Sequence, residues 1–182
     1  PAWQGIQVNR QSAMTLITAA GLCLAITLAA KSDAPLSKSR VKIACEHSQD
    51  LIDAAEAYAI DPFVLAGLVW VESRWTPAAI SRSNACGLTQ VLPKYAYENC
   101  TQLLVPRRSL FAGARALRKW FHYQAKHKKG TKSAAKGGMS AALACYYAGN
   151  WCDNTKSGRR YSRKVMKIAN RVRQWYSKNL GM

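Results

Sequence analysis

Glu72-Ser73-Arg74-Trp75-Thr76-Pro77-Ala78-Ala79-Ile80-Ser81-Arg82-Ser83-Asn84-Ala85-Cys86-Gly87-Leu88-Thr89-Gln90-Val91-Leu92-Pro93 is the stretch on which the reading of this chain turns. It opens on a lone carboxyl group that closes an apolar run, Leu65, Leu68, Val69, Trp70 and Val71, and passes into a loop containing Ser, Gly and Gln. Apolar neighbours strip water from a carboxylate and raise its pKa. A carboxyl kept protonated near neutral pH can give its proton to a leaving oxygen, the general-acid half of glycoside cleavage.

Outward from that stretch the periodicity is helical. Asp61-Pro62 reads as a helix start, an N-cap carboxylate followed by proline in the first turn, and the spacing predicts a helix over 62–73 ending on Glu72. Upstream, Ile43, Leu51, Ile52, Ala55 and Tyr58 fall near one face and predict one helix over 41–59. Downstream, 74–90 has loop character and Pro93 opens a short helix. Ser109–Lys126 is amphipathic, 130–138 a flexible break and 140–148 a small-residue helix. A last helix spans 159–178 with Tyr161, Val165, Ile168, Val172 and Trp175 recurring at helical intervals. No strand pattern or internal repeat emerges, so the expected fold class is all-α or nearly so.

The motifs resemble those of the soluble lytic transglycosylases, lysozyme-like enzymes that cut peptidoglycan. In that family a Glu-Ser pair is followed by a Pro, a Ser, Gly-Leu-Met-Gln and a hydrophobic-X-Pro. Here the parts are Glu72-Ser73, Pro77, Ser81, Gly87-Leu88-Thr89-Gln90 and Val91-Leu92-Pro93. A second block, Ala142-Leu143-Ala144-Cys145-Tyr146-Tyr147-Ala148-Gly149, is similar to the family's Ala-Leu-Ala-Ala-Tyr-Asn-Ala-Gly, and Tyr161 to Val165 matches its Tyr-X-X-X-Val.

The resemblance implies a lysozyme-like fold and one Glu, Glu72, acting first as acid and then as base. It would cleave the β-1,4 bond between N-acetylmuramic acid and N-acetylglucosamine and leave a 1,6-anhydro product. From Pro62 onward the only carboxylates are Glu72, Glu98 and Asp153, which suits a lone-acid enzyme better than a two-carboxylate one. Ser81, Gly87, Gln90, Tyr146, Tyr147 and Tyr161 are the matching substrate-site positions. Tyr161 is expected to orient Glu72 and Tyr146 to line the cleft. Ser81 reads equally as a turn residue. Gly87 would let backbone approach the sugar, and Gln90 would supply a two-sided amide. Two departures stand out: Thr89 replaces the common Met, expected to alter only a cleft wall, and Tyr147 replaces an Asn, removing an amide near the glycan. A goose-type-lysozyme-like hydrolase and an inactive basic structural or nucleic-acid-binding virion protein are the alternatives.

A net charge of +18 over 182 residues implies a polyanionic partner or a solvated cationic surface. Peptidoglycan stem-peptide carboxylates, teichoic acids, anionic lipids and nucleic acid all fit, although no nucleic-acid-binding signature accompanies the charge. Lys126, Lys128, Lys129, Lys132 and Lys136 read as a cationic loop.

Residues 13–30 are uncharged between Arg10 and Lys31, just long enough to span a bilayer core. They are expected to be a retained membrane anchor; a signal peptide and a helix buried against protein partners are the other readings. The expected organisation is therefore an N-terminal segment 1–31, a linker 32–40 and a catalytic domain 41–182. The catalytic domain would lie in the periplasm or cell-wall space, or in a phage virion, as part of a larger assembly.

Cys23 reads as an inert hydrophobe inside the apolar segment. The other five cysteines leave an odd number and allow two pairs in fifteen ways. Local closure favours Cys86–Cys100 and Cys145–Cys152; reduced thiols are the reading for a protein matured in the cytosol. Neither cysteine spacing nor His47, His122 and His127 suggests a metal site, and no cofactor is expected.

Overall fold

The computed structural model describes residues 17–32, 35–127, 138–149 and 155–180. Among them the chain folds into α1 (Ala19–Ser32), α2 (Lys38–Glu46), α3 (Ser48–Ala57), α4 (Pro62–Glu72), α5 (Pro93–Ala96), α6 (Cys100–Leu103), α7 (Pro106–His127), α8 (Gly138–Ala148) and α9 (Lys156–Leu180). No strand forms among the described residues; two isolated antiparallel bridges, Ile80 with Cys86 and Cys86 with Val91, pin the loop after α4. Most of the lysine-rich loop, and Cys152, lie outside the described residues.

α4 is the hub because it is apolar all round. Every residue from Phe63 to Trp70 is buried, as a helix without a polar face requires. Its start is fixed by Asp61, whose Oδ1 accepts the Phe63 N–H at 2.8 Å and the Val64 N–H at 3.4 Å, with Pro62 in the first turn. Antiparallel to it lies α9, and the register is set by contacts along both helices. Arg173 meets Asp61 at 2.5 Å, and Phe63 lies edge-on to Tyr176 with ring centroids 5.4 Å apart. At the middle, Gly67 meets the Val165 carbonyl so closely that a Cβ there would sit 2.7 Å from the oxygen and 3.1 Å from the Ala169 nitrogen. The buried face of α9 therefore runs Tyr161, Val165, Ala169, Val172, Tyr176. It passes through small Ala169 rather than Ile168, because two helices can approach this closely only over small residues.

The expected helix over 41–59 is two helices. His47 interrupts it with φ −108° and ψ 16°, and its Nδ1 lies 2.9 Å from Asp50 Oδ2 in the first turn of α3. Arg107 then bridges Asp50 at 2.6 Å and Asp53 at 2.9 Å, tying α3 to the start of α7. Burial pushes the Asp50 carboxyl up, but its hydrogen bonds to His47 and Arg107 outweigh that and hold it below its ordinary value.

Of the run 13–30, expected to be a retained anchor, the described part is α1. α1 buries Gly21, Leu22, Ala25, Ile26, Ala29 and Ala30 in the same core as α4 and α9. A Cβ on Gly21 would lie 2.4 Å from Leu180 and 2.7 Å from Tyr176, and the Thr18 N–H donates to the Tyr176 hydroxyl at 3.0 Å. The apolar composition that suggested a bilayer serves the chain's own core. Among the described residues no single helix is long and apolar enough to cross a membrane. The bent pair α3–α4, which has the composition, is this same core.

The reading of Cys23 as an inert hydrophobe is corrected. It forms a disulfide with Cys45 that staples α1 to α2, a pairing invisible to local closure because the two lie 22 residues apart. Cys86 pairs with Cys100, as local closure favoured. Cys145 is also disulfide-bonded.

Candidate active site

Glu72 ends α4, so the most apolar helix of the molecule delivers a carboxyl group to the edge of the core. α8 and the start of α9 close around it, and the Tyr161 hydroxyl donates a hydrogen bond to Glu72 Oε1. Burial pushes the Glu72 carboxyl up from 4.5 to about 7, against the opposing effect of the Tyr161 hydrogen bond, which favours the charged form. No second carboxylate acts on Glu72 among the described residues.

Tyr146 stands beside this pair. Burial and then the Glu72 charge push its phenol well above the ordinary range, and burial, Glu72 and Tyr146 do the same to Tyr161. Both phenols are therefore neutral donors at any ordinary pH. The Tyr146 hydroxyl donates to the Thr89 carbonyl at 2.7 Å, which fastens α8 to the loop after α4. Tyr147, the next residue, stacks on Tyr161 with centroids 4.9 Å apart and planes at 20°. It stays 56% exposed, so one of its faces covers Tyr161 and the rest is open to solvent. The structure thus brings Glu72, Tyr146, Tyr147 and Tyr161 together.

The other three predicted positions hold the loop. Ser81 accepts the Ala85 N–H at 3.0 Å on its hydroxyl, a turn role. Gln90, at φ 51°, donates from Nε2 to the carbonyls of Ala79 and Gly87, both at 2.9 Å, so its amide nitrogen is spent on the loop's own backbone. Gly87 does need to be glycine, at φ 78°, but the close approach is internal: a Cβ would sit 1.9 Å from the Leu103 carbonyl oxygen.

Thr89 corrects the expectation of a cleft wall. It is fully buried, its hydroxyl donates to the Ser109 carbonyl at 2.7 Å, and its N–H donates to Ser109 Oγ at 3.1 Å. Gly113 makes the room, since a Cβ there would lie 2.4 Å from Thr89 Cγ2. A small polar residue at 89 therefore locks the loop onto α7, and a long Met would not fit. Ser109 and Gly113 are not singled out by the sequence, because they sit four apart in a helix that also carries the small residues Ala112, Ala114 and Ala116.

The assembled arrangement is a single protonatable carboxyl, oriented by one phenol and flanked by two more, at the mouth of a disulfide-stapled loop. It can donate a proton at neutral pH and take one back. Among the described residues no group of three or more His, Cys, Asp or Glu is placed to hold a metal ion.

The family model described as Transglycosylase SLT domain matches residues 50–169, which contain every residue of the site. A protein named Transglycosylase from Enterobacteria phage PRD1 is 33% identical over 127 residues, covering 66% of this chain and 42% of the relative. The chain therefore spans about two fifths of the length of the relative it matches.

Proposed function

This chain belongs to the transglycosylase SLT domain family, and we propose that it is a peptidoglycan lytic transglycosylase with Glu72 as its lone acid and base. Glu72 in its protonated form donates to the oxygen between N-acetylmuramic acid and N-acetylglucosamine as that bond breaks. The resulting carboxylate, steadied by Tyr161, takes the proton of the muramic C6 hydroxyl while that oxygen bonds to C1, closing the 1,6-anhydro ring. Glu72 returns protonated, and no water is consumed. The observation that carries this reading is the Glu72 carboxyl, buried to a pKa of about 7 and hydrogen-bonded by Tyr161, with no second carboxylate acting on it. A group half-protonated at neutral pH suits both halves of the reaction.

The phage origin of the PRD1 relative supports a place in a virion, where the activity opens the wall locally during entry. A zymogram on purified sacculi tests the enzyme. Wild type is expected to clear a band and Glu72→Gln, which keeps the shape and removes the proton, to lose about two to four orders of magnitude in rate. Clearing by Glu72→Gln near the wild-type rate would remove Glu72 as the acid.

A further inference from the structure

The carboxylates of the described chain are segregated. Five of them, Glu46, Asp50, Asp53, Glu56 and Asp61, lie within 46–61, where Arg107 and Arg173 pair with three. α9 contains no Asp or Glu at all. Along its first half, Lys156, Arg160, Arg163, Lys164 and Lys167 are all exposed, and none has an ion-pair partner among the described carboxylates. At 3.6 residues per turn these five fall within roughly 100° of arc and about 16 Å of helix. Tyr161 and Val165 occupy the opposite, buried face of the same turns. The cations therefore back the very segment that presents Tyr161 to Glu72, about one helix diameter, ~10 Å, from the carboxyl.

Five like charges on one face, with no carboxylate partner among the described residues, repel one another and are retained against that cost. Their surroundings narrow the partner. No aromatic side chain is interleaved on this face for base stacking, since Tyr161 points into the core. Nor does it offer exposed apolar side chains to enter a bilayer interface, the usual complement of a cationic membrane helix. What it offers is an array of point charges and guanidinium forks, the recognition chemistry for carboxylates.

We propose that this cationic face of α9 docks the protein on the carboxylate-bearing peptide layer of the cell wall, beside the glycan strand being cut. The proposal rests on the glycan-cleaving reading of Glu72 for its biological sense, but the docking needs no cleavage. By holding the wall against the back of α9 it keeps the cleft supplied with substrate after each cut. The face acts on association with the insoluble wall and leaves the chemical step alone.

Pelleting of the full chain carrying Glu72→Gln with purified sacculi tests this directly. Replacing Lys156, Arg160, Arg163, Lys164 and Lys167 together by Gln is expected to weaken sacculus binding about tenfold or more at 0.15 M salt, and so is amidation of the sacculus carboxylates with a neutral amine. In the catalytically intact chain the five substitutions should leave turnover of short soluble glycan chains unchanged. Equal binding to native and amidated sacculi overturns the proposal, and that arm uses unsubstituted α9, so it stands even if the fivefold variant fails to fold. A fivefold variant that loses duplex DNA or phosphatidylglycerol vesicles but still binds sacculi also overturns it. Charge-dependent sacculus binding in a chain that never clears sacculi would uphold the docking and reject the enzymatic reading.

Discussion

Burial keeps the Glu72 proton on up to neutral pH and makes the carboxylate costly above it. Its carboxyl titrates near 4.5 in an unfolded chain and near 7 in the folded one, so the folded state binds the proton more tightly. The stability this contributes is fully present below pH 4.5 and is lost as pH rises through 7, on the order of 3 kcal/mol in all. Glu72→Gln is therefore expected to stabilise the protein against denaturant at pH 8 by up to that amount, with the gain vanishing below pH 4.5. A variant no more stable than wild type at pH 8 would mean the carboxyl is not desolvated. Tyr161→Phe probes the opposing effect. Its hydroxyl favours the carboxylate, so its removal should move the alkaline limb of kcat/KM to higher pH while rate falls about tenfold or more. A limb displaced to lower pH would contradict the hydrogen bond.

At the scale of elements, the distance between Glu72 and Tyr161 is set where α4 and α9 touch, at Gly67 against Val165 and Ala169. Gly67→Ala gains helix propensity, about 1 kcal/mol, yet places a methyl against backbone that cannot turn aside. The helices must part, so a net loss of about 1–2 kcal/mol is expected. Turnover should drop roughly tenfold with little change in KM, because misplacing a catalytic pair by even a fraction of an ångström is expensive. Unchanged turnover with a raised melting temperature would show that this contact does not position the site. The contact also marks what a sequence conceals. Apolar periodicity and the Asp61-Pro62 start make α4, α7 and α9 legible, because they are written in neighbours a turn apart. Pairings such as Gly67 with Val165, Thr89 with Ser109, Gly87 with Leu103 and Cys23 with Cys45 join residues 16 or more positions apart. Spacing is silent on them. The meeting of Tyr161 and Glu72, 89 positions apart, was readable only through the family motif, and the inward turn of Thr89 was misread because that motif describes residue types and not where they point.

Over the whole molecule, α9 is the element on which the rest depends: α1, α4 and α8 pack on its buried side, and the outer side of its first half carries Lys156, Arg160, Arg163, Lys164 and Lys167, with no ion-pair partner among the described carboxylates. α1 shows what composition leaves open at this scale, since the described part of an uncharged run that reads as an anchor packs in the core with α4 and α9. Disulfides at Cys23–Cys45 and Cys86–Cys100 close loops in the unfolded chain, each worth about 3 kcal/mol by chain entropy, and they brace α1 and the loop beside Glu72. If this frame lets one carboxyl serve as acid and then base with the substrate's own hydroxyl as nucleophile, mass spectrometry of the muropeptides released from sacculi by the wild-type chain will find products about one water lighter than hydrolysed muropeptides. They are expected to end in 1,6-anhydro-muramic acid, with none above background from Glu72→Gln. Release of reducing-end muropeptides by the wild-type chain would contradict that mechanism and make the protein a hydrolase.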